Sequence, residues 1–125
     1  MNLPSLSPLE ELYADAVAAL NRGDTRSMLA HYHDDAVVLA YSGVHLQGYP
    51  CIAPHFAELI AASVDVAVRV SPLTESSTTK VATKVWSLAL RGPDGTWREH
   101  TGQGIVVFTS KADHRWRIAV DTYRL

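Results

Sequence analysis

With 125 residues, 47% hydrophobic and 19% charged, the chain has the material for one buried core, too little length for two, and no disorder signature. A formal net charge of -2 excludes the basic excess of a nucleic-acid binder, so no nucleic-acid partner is expected. The single cysteine, Cys51, excludes an intrachain disulfide and a zinc site built from several thiolates.

The N-terminal MNLPSLSPLEEL has neither a basic n-region nor an apolar h-region, and does not read as a signal peptide. No apolar run approaches the ~20 residues a bilayer span needs. A cytoplasmic location without membrane attachment is therefore expected, and the lone thiol fits a reducing compartment.

The chain opens with helical signals. Ser7 suits an N-cap, Pro8 the first helical position and Glu10 the third position of a capping box. Leu9, Leu12, Tyr13, Ala16, Val17 and Leu20 then follow one helical face, and Gly23 can take the left-handed conformation that closes the helix. Asp24 can cap a second helix running to about His33. Residues 36–41 and 44–47, joined by Ser42-Gly43, predict a hairpin. A third helix is expected from Cys51 to Ala62, with Pro54 tolerable only in its first turn.

Beyond Ser63 the period changes from helical to two. Val64, Val66, Val68 and Val70 alternate with polar or small residues. Further strands are expected over 79–91, 96–109 and 115–123, with turns at 92–95 and 110–113. No repeat, linker or low-complexity segment interrupts them, so residues 1–125 read as one domain. Helices grouped before strands predict an α+β domain: three N-terminal helices packed on a curved, mainly antiparallel sheet.

Period-two geometry also sorts side chains by face. Ala119, Asp121 and Tyr123 form one set, and Trp116, Ile118, Val120 and Thr122 the other. His100, Gly102, Gly104, Val106 and Phe108 share a face, as do Trp86, Leu88 and Leu90. The apolar residues Trp97, Ile105, Val107, Trp116, Ile118 and Val120 contain a set too apolar for a solvated sheet face. A homodimer through the outer sheet face would cover it.

Four stretches, AALNRGD at 18–24, YHDDAVVL at 32–39, Gly48 to Phe56 and WRIAVDTY at 116–123, resemble the nuclear-transport-factor-2-like superfamily, in its SnoaL-like and ketosteroid-isomerase-like branch. The resemblance implies a cone-shaped, cystatin-like domain with a pocket between sheet and helices, commonly a dimer. Matched to ketosteroid isomerases, the oxyanion-hole tyrosine falls on Ala16, the catalytic-base aspartate on Ala40 and the protonated aspartate near Gly104. A supporting tyrosine is retained as Tyr32, and a helix-three tyrosine becomes Phe56. A methyl group neither takes a proton nor donates a hydrogen bond, so ordinary ketosteroid isomerisation is not expected.

The same matching turns Asp121, Tyr123 and His100 toward the cavity. A carboxylate within IAVDTY must be paired, hydrogen-bonded or protonated. In SnoaL-like cyclases an aspartate serves as acid/base, and Asp121 matches that role, with His100 on the adjacent strand as its partner and Tyr32 as a hydrogen-bond donor. The implied activity is cofactor-free acid/base chemistry, as an isomerase, cyclase or dehydratase, on an apolar carbonyl or polycyclic substrate. Tyr13, Phe56, Trp86, Leu88 and Tyr123 are the expected ligand-contacting wall. The alternatives remain open: Asp121 as a structural carboxylate, His100 as an edge histidine, the aromatic residues as core, and the whole as a noncatalytic ligand-binding or dimeric assembly domain. An open pocket of ~300–1,000 Å³ would favour a binder or enzyme. One plugged by Trp86, Phe56 and Tyr123 would favour assembly.

His31, His33, Asp34 and Asp35 look like metal ligands, but only His31 and Asp35 have same-face helical spacing, and a solvated helix end is the expected reading, with no metal. His45, His55 and His114 are scattered, and Cys51 lacks a base partner. No phosphate loop or GxSxG is present, so no cofactor is expected.

Overall fold

A computed structural model describes residues 8–62 and 64–124. The elements are α1 (Pro8–Asn21), α2 (Thr25–Leu29), β1 (Tyr32–Leu39), β2 (His45–Gln47), α3 (Tyr49–Ala61), β3 (Asp65–Glu75), β4 (Thr79–Arg91), β5 (Trp97–Ser110) and β6 (Trp116–Thr122). The chain is an α+β domain with one six-stranded sheet, ordered β2-β1-β6-β5-β4-β3. Every neighbouring pair is antiparallel except β1 with β6. The helices cover one face, and no described helix is long and apolar enough to cross a membrane.

Local chemistry accounts for the first elements. Helix α1 begins at Pro8, while the expected cap Ser7 lies outside the described residues. Leu9, Tyr13, Ala16, Ala19 and Leu20 bury its inner face. Its end is a Schellman turn: the Gly23 amide donates to Leu20 and the Asp24 amide to Ala19, with Gly23 at φ +80°. Asp24 then caps α2, accepting from the Ser27 amide at 3.1 Å and the Ser27 hydroxyl at 2.6 Å.

Three expectations need correction. The second helix stops at Leu29, four residues early, because Tyr32 and His33 enter β1: Tyr32 pairs with Ile118, and the His31 carbonyl accepts from the Ile118 amide at 2.8 Å. Helix α3 starts at Tyr49, with Gly48 as N-cap, so Pro54 lies in its second turn. Finally, strict alternation fails in β6. Val107 faces Val120 while Phe108 faces Ile118, so Ala119 is the extra residue of a bulge. The bulge turns both Ile118 and Asp121 inward, each fully buried, although sequence parity puts them on opposite faces. Ile118 therefore leaves the expected exposed set.

The core lies between the helices and the sheet's inner face. Val66 and Val70 come from β3, Ala82, Trp86 and Leu88 from β4, Val106 and Phe108 from β5, and Ile52 and Phe56 from α3. On the outer face Val85 and Ile105 remain 46% and 47% exposed, which leaves apolar surface uncovered in the single chain.

Candidate functional site

Strand β4 turns Ala82, Lys84, Trp86 and Leu88 inward, all buried. Lys84 is the anomaly in that row, an ammonium where alternation predicts a hydrocarbon. Its partner across the sheet is Gly104, and Trp86 faces Gly102. A Cβ at position 104 would lie 2.9 Å from Lys84 Cε and collide with the Thr122 carbonyl. One at 102 would lie 2.8 Å from the Trp86 ring and collide with the Arg124 carbonyl. The two glycines thus let large side chains lie across β5.

Lys84 reaches Asp121 on β6, with Nζ 2.5 Å from Oδ1 and neither side chain exposed. Tyr32, opening β1, donates to Asp121 Oδ2 at 2.7 Å, and Tyr13 of α1 donates to the same oxygen at 2.9 Å. Tyr13 in turn accepts from Lys84 at 2.9 Å, and its hydroxyl lies 3.0 Å from that of Tyr123. The Tyr123 ring centroid sits 3.2 Å from Lys84 Nζ, which makes the ring a lid over the ammonium. No described buried side-chain polar atom lacks a partner.

Burial sets the protonation of this cluster. It pushes the Tyr13, Tyr32 and Tyr123 phenols well above their ordinary pKa, and the Asp121 charge pushes them further, so all three remain donors. Burial pulls the Lys84 ammonium down, and Asp121 offsets part of that.

Beside the cluster lies a cavity of about 20 Å³, lined by Leu20, Ala40, Tyr41, His55, Phe56, Leu59, Val66, Leu88 and Tyr123. That is room for about one water molecule, not the several hundred Å³ of a ligand pocket. Tyr123 belongs to both places, lining the cavity and covering Lys84. Trp86 packs edge-on against Tyr123, with centroids 5.5 Å apart. Tyr41 stacks on His100 at 5.0 Å.

The structure brings Asp121, Tyr32, Tyr13 and Tyr123 together, and places Phe56, Leu88 and Tyr123 on the cavity wall. It does not bring His100 to Asp121. Asp121 pairs across with Val106, six residues along β5 from His100, or ~20 Å at strand rise. His100 pairs with Leu88 instead and joins an open surface hollow with Leu90, Arg91 and Arg98. Asp121's ionic partner is Lys84. A readable signal existed, since Lys84 shares the parity of Trp86 and Leu88. Of the positions matched to isomerase groups, Ala16 and Ala40 are buried methyl groups, and Gly104 has no room for a side chain. His55 also lines the cavity, and burial lowers its pKa from the ordinary value, with Glu58 opposing.

No group of three His, Cys, Asp or Glu side chains suited to a metal ion occurs among the described residues. His33 is buried, its Nε2 donating toward Thr109, while Asp35 pairs with Lys111 and Cys51 is exposed.

The SnoaL-like domain family matches residues 13–119. No curated protein matches the sequence. Among solved structures, a ketosteroid isomerase-like protein from Erwinia carotovora atroseptica is similar at 18% identity and TM-score 0.78, over 90% of this chain and 89% of that one. A nuclear transport factor 2-like superfamily protein from Salmonella enterica is similar at 16% identity and TM-score 0.77, over 90% and 84% of the two chains. A third, from Xanthomonas campestris and named as a calcium/calmodulin dependent protein kinase II association domain, is similar at 18% identity and TM-score 0.78, over 96% and 89%. At these identities the likeness establishes the fold alone.

Proposed function

Because the chain belongs to the SnoaL-like domain family, with a match spanning residues 13–119, we propose that it binds a small apolar carbonyl compound in the inner cavity and moves a proton at the carbon beside the carbonyl. The observation that carries this reading is Asp121: a fully buried carboxylate in a hydrogen-bonded cluster whose Tyr123 also lines an apolar cavity. A buried ion pair is weak evidence of stabilisation, since apolar packing at the same place often does as well. A buried titratable group beside a cavity is a functional-site candidate.

In this reading Asp121 takes and returns the proton. Tyr32 and Tyr13, kept protonated by burial, supply hydrogen bonds to the developing oxyanion. Lys84 holds the carboxylate in place and compensates its charge. The cavity must widen for a substrate to enter, and Tyr123 and Tyr41 are the side chains whose rotation widens it. Ordinary ketosteroid isomerisation is not part of this reading, because Ala16 and Ala40 supply no acid or base. No cofactor is required, and a reducing, cytoplasmic setting suits the lone Cys51.

The test is α-proton exchange of propanal in D2O, followed by NMR. Exchange above the buffer rate that is lost in Asp121→Asn, with the fold intact, supports the reading. Exchange no faster than buffer, or unchanged in that variant, ends it.

A second reading is favoured by the cavity volume. Room for one water and a fully hydrogen-bonded polar cluster also suit a noncatalytic assembly domain. In both readings the domain pairs with a second copy through the outer sheet face, where Val85 and Ile105 stand exposed beside a trough bordered by Arg69, Gln103 and Arg124. Sedimentation of wild type against Ile105→Lys tests this: a dimer that dissociates supports the pairing, and a wild-type monomer overturns it.

A further inference from the structure

Lys84 does more than balance the charge of Asp121: it is an amine that the fold carries into its interior. We propose that Lys84 Nζ is a nucleophile that condenses with the carbonyl group of an aldehyde or ketone, so that the substrate is held as an iminium. This rests on the reading that a carbonyl compound enters the cavity, and it names the bond that would hold it there.

The geometry supplies each part. Lys84 is 2% exposed as a residue, and its side chain is wholly buried. Asp121 Oδ1 at 2.5 Å is a proton acceptor in contact with the amine. Tyr13 OH at 2.9 Å can shuttle a proton between nitrogen and oxygen. The Tyr123 ring that covers Nζ also lines the cavity. Desolvation favours the neutral amine, the condition under which lysines act in imine chemistry. The same burial lowers the ammonium's pKa.

The step balances without a co-reactant. The Lys84 ammonium gives one proton to the Asp121 carboxylate, and the freed nitrogen lone pair adds to the carbonyl carbon as the C=O π pair moves onto oxygen. Tyr13 passes a proton from nitrogen to that oxygen, giving a carbinolamine. The nitrogen lone pair then forms C=N while the hydroxyl leaves as water, carrying the proton from Asp121. The net change is ammonium plus carbonyl to iminium plus water. The iminium withdraws electrons from the adjacent carbon, and the regenerated Asp121 carboxylate can remove a proton there.

Access distinguishes this site from a surface lysine. Tyr123 must swing aside, so its truncation should expose the amine. Propanal with sodium cyanoborohydride, which reduces an iminium to a stable secondary amine, reads the reaction out by peptide mass spectrometry of the intact chain. The expected result is a propyl group on Lys84, formed faster than on the exposed Lys111. Labelling of Lys84 should rise further in Tyr123→Ala. Label confined to Lys80 and Lys111 in both proteins overturns the proposal, and neither protein depends on a variant of Lys84 that folds. If Lys84 stays unlabelled while propanal α-exchange persists and requires Asp121, the iminium fails and the acid/base reading stands. If label and exchange are both absent, both fall.

Discussion

Lys84 Nζ and Asp121 Oδ1 lie 2.5 Å apart with no exposure to solvent, on strands separated in the sheet by β5. The contact crosses that strand where Gly104 has no side chain to obstruct it. Removing one partner strands a charge, at a cost of about 3–5 kcal/mol, whereas replacing both with apolar groups costs less. In urea titrations Lys84→Met and Asp121→Leu should each lose stability in that range, and the double variant should lose clearly less than their sum. Strict additivity would show that the two groups are not coupled.

The glycines of β5 have a separate consequence. Ala at 102 or 104 places Cβ against the carbonyl of Arg124 or Thr122, backbone that cannot rotate away. Overpacking of this kind costs about 1–3 kcal/mol. Gly102→Ala and Gly104→Ala should lower the denaturation midpoint accordingly, and Gly104→Ala should also disturb the Lys84 contact. A midpoint equal to wild type would mean that β6 moves freely at its C-terminal end.

His55 offers a pH test. Burial lowers its pKa from 6.5, and Glu58 raises it in part. In the folded chain its imidazole should titrate at a lower pH than in the unfolded chain when followed by NMR, and Glu58→Gln should lower it further. The sign for stability follows: just below pH 6.5 the unfolded chain binds more protons at this residue, so its contribution falls as pH drops toward the folded value. A midpoint at or above 6.5 contradicts the burial argument.

Acid stability depends on different groups. Asp24, Asp35, Asp94 and Asp113 all have lowered pKa values, from hydrogen bonds donated by Ser27, Lys111, Thr96 and Arg117 respectively. A depressed carboxylate contributes stability above its unfolded value, 3.8, and loses it as pH falls through the folded value. The denaturation midpoint should decline below about pH 4. Asp24 also caps α2, so Asp24→Ala should lower the denaturation midpoint at neutral pH. A variant as stable as wild type would remove the cap from the account.

Local signals were enough for most elements. Gly23, Asp24, the Ser42-Gly43 turn and the valine alternation of β3 each act through neighbours within a few residues, and each appears where the chain alone places it. Helix α2 was overrun because nothing local says that Tyr32 will pair with Ile118, 86 positions later. The candidate site divides in the same way. The inward parity of Trp86 and Leu88 and the uneasy position of Asp121 among apolar neighbours are readable from spacing and polarity. Its partner is not.

By itself, then, the sequence determined the order and type of the elements and the family they belong to, because hydrophobic period, caps and turns act over short range. Only the tertiary structure decided that Lys84 rather than His100 pairs with Asp121, that a bulge at Ala119 carries Asp121 inward beside Ile118, and that the cavity closes to about 20 Å³. Those outcomes depend on strand register and on packing between distant segments, and register is set by the whole sheet at once.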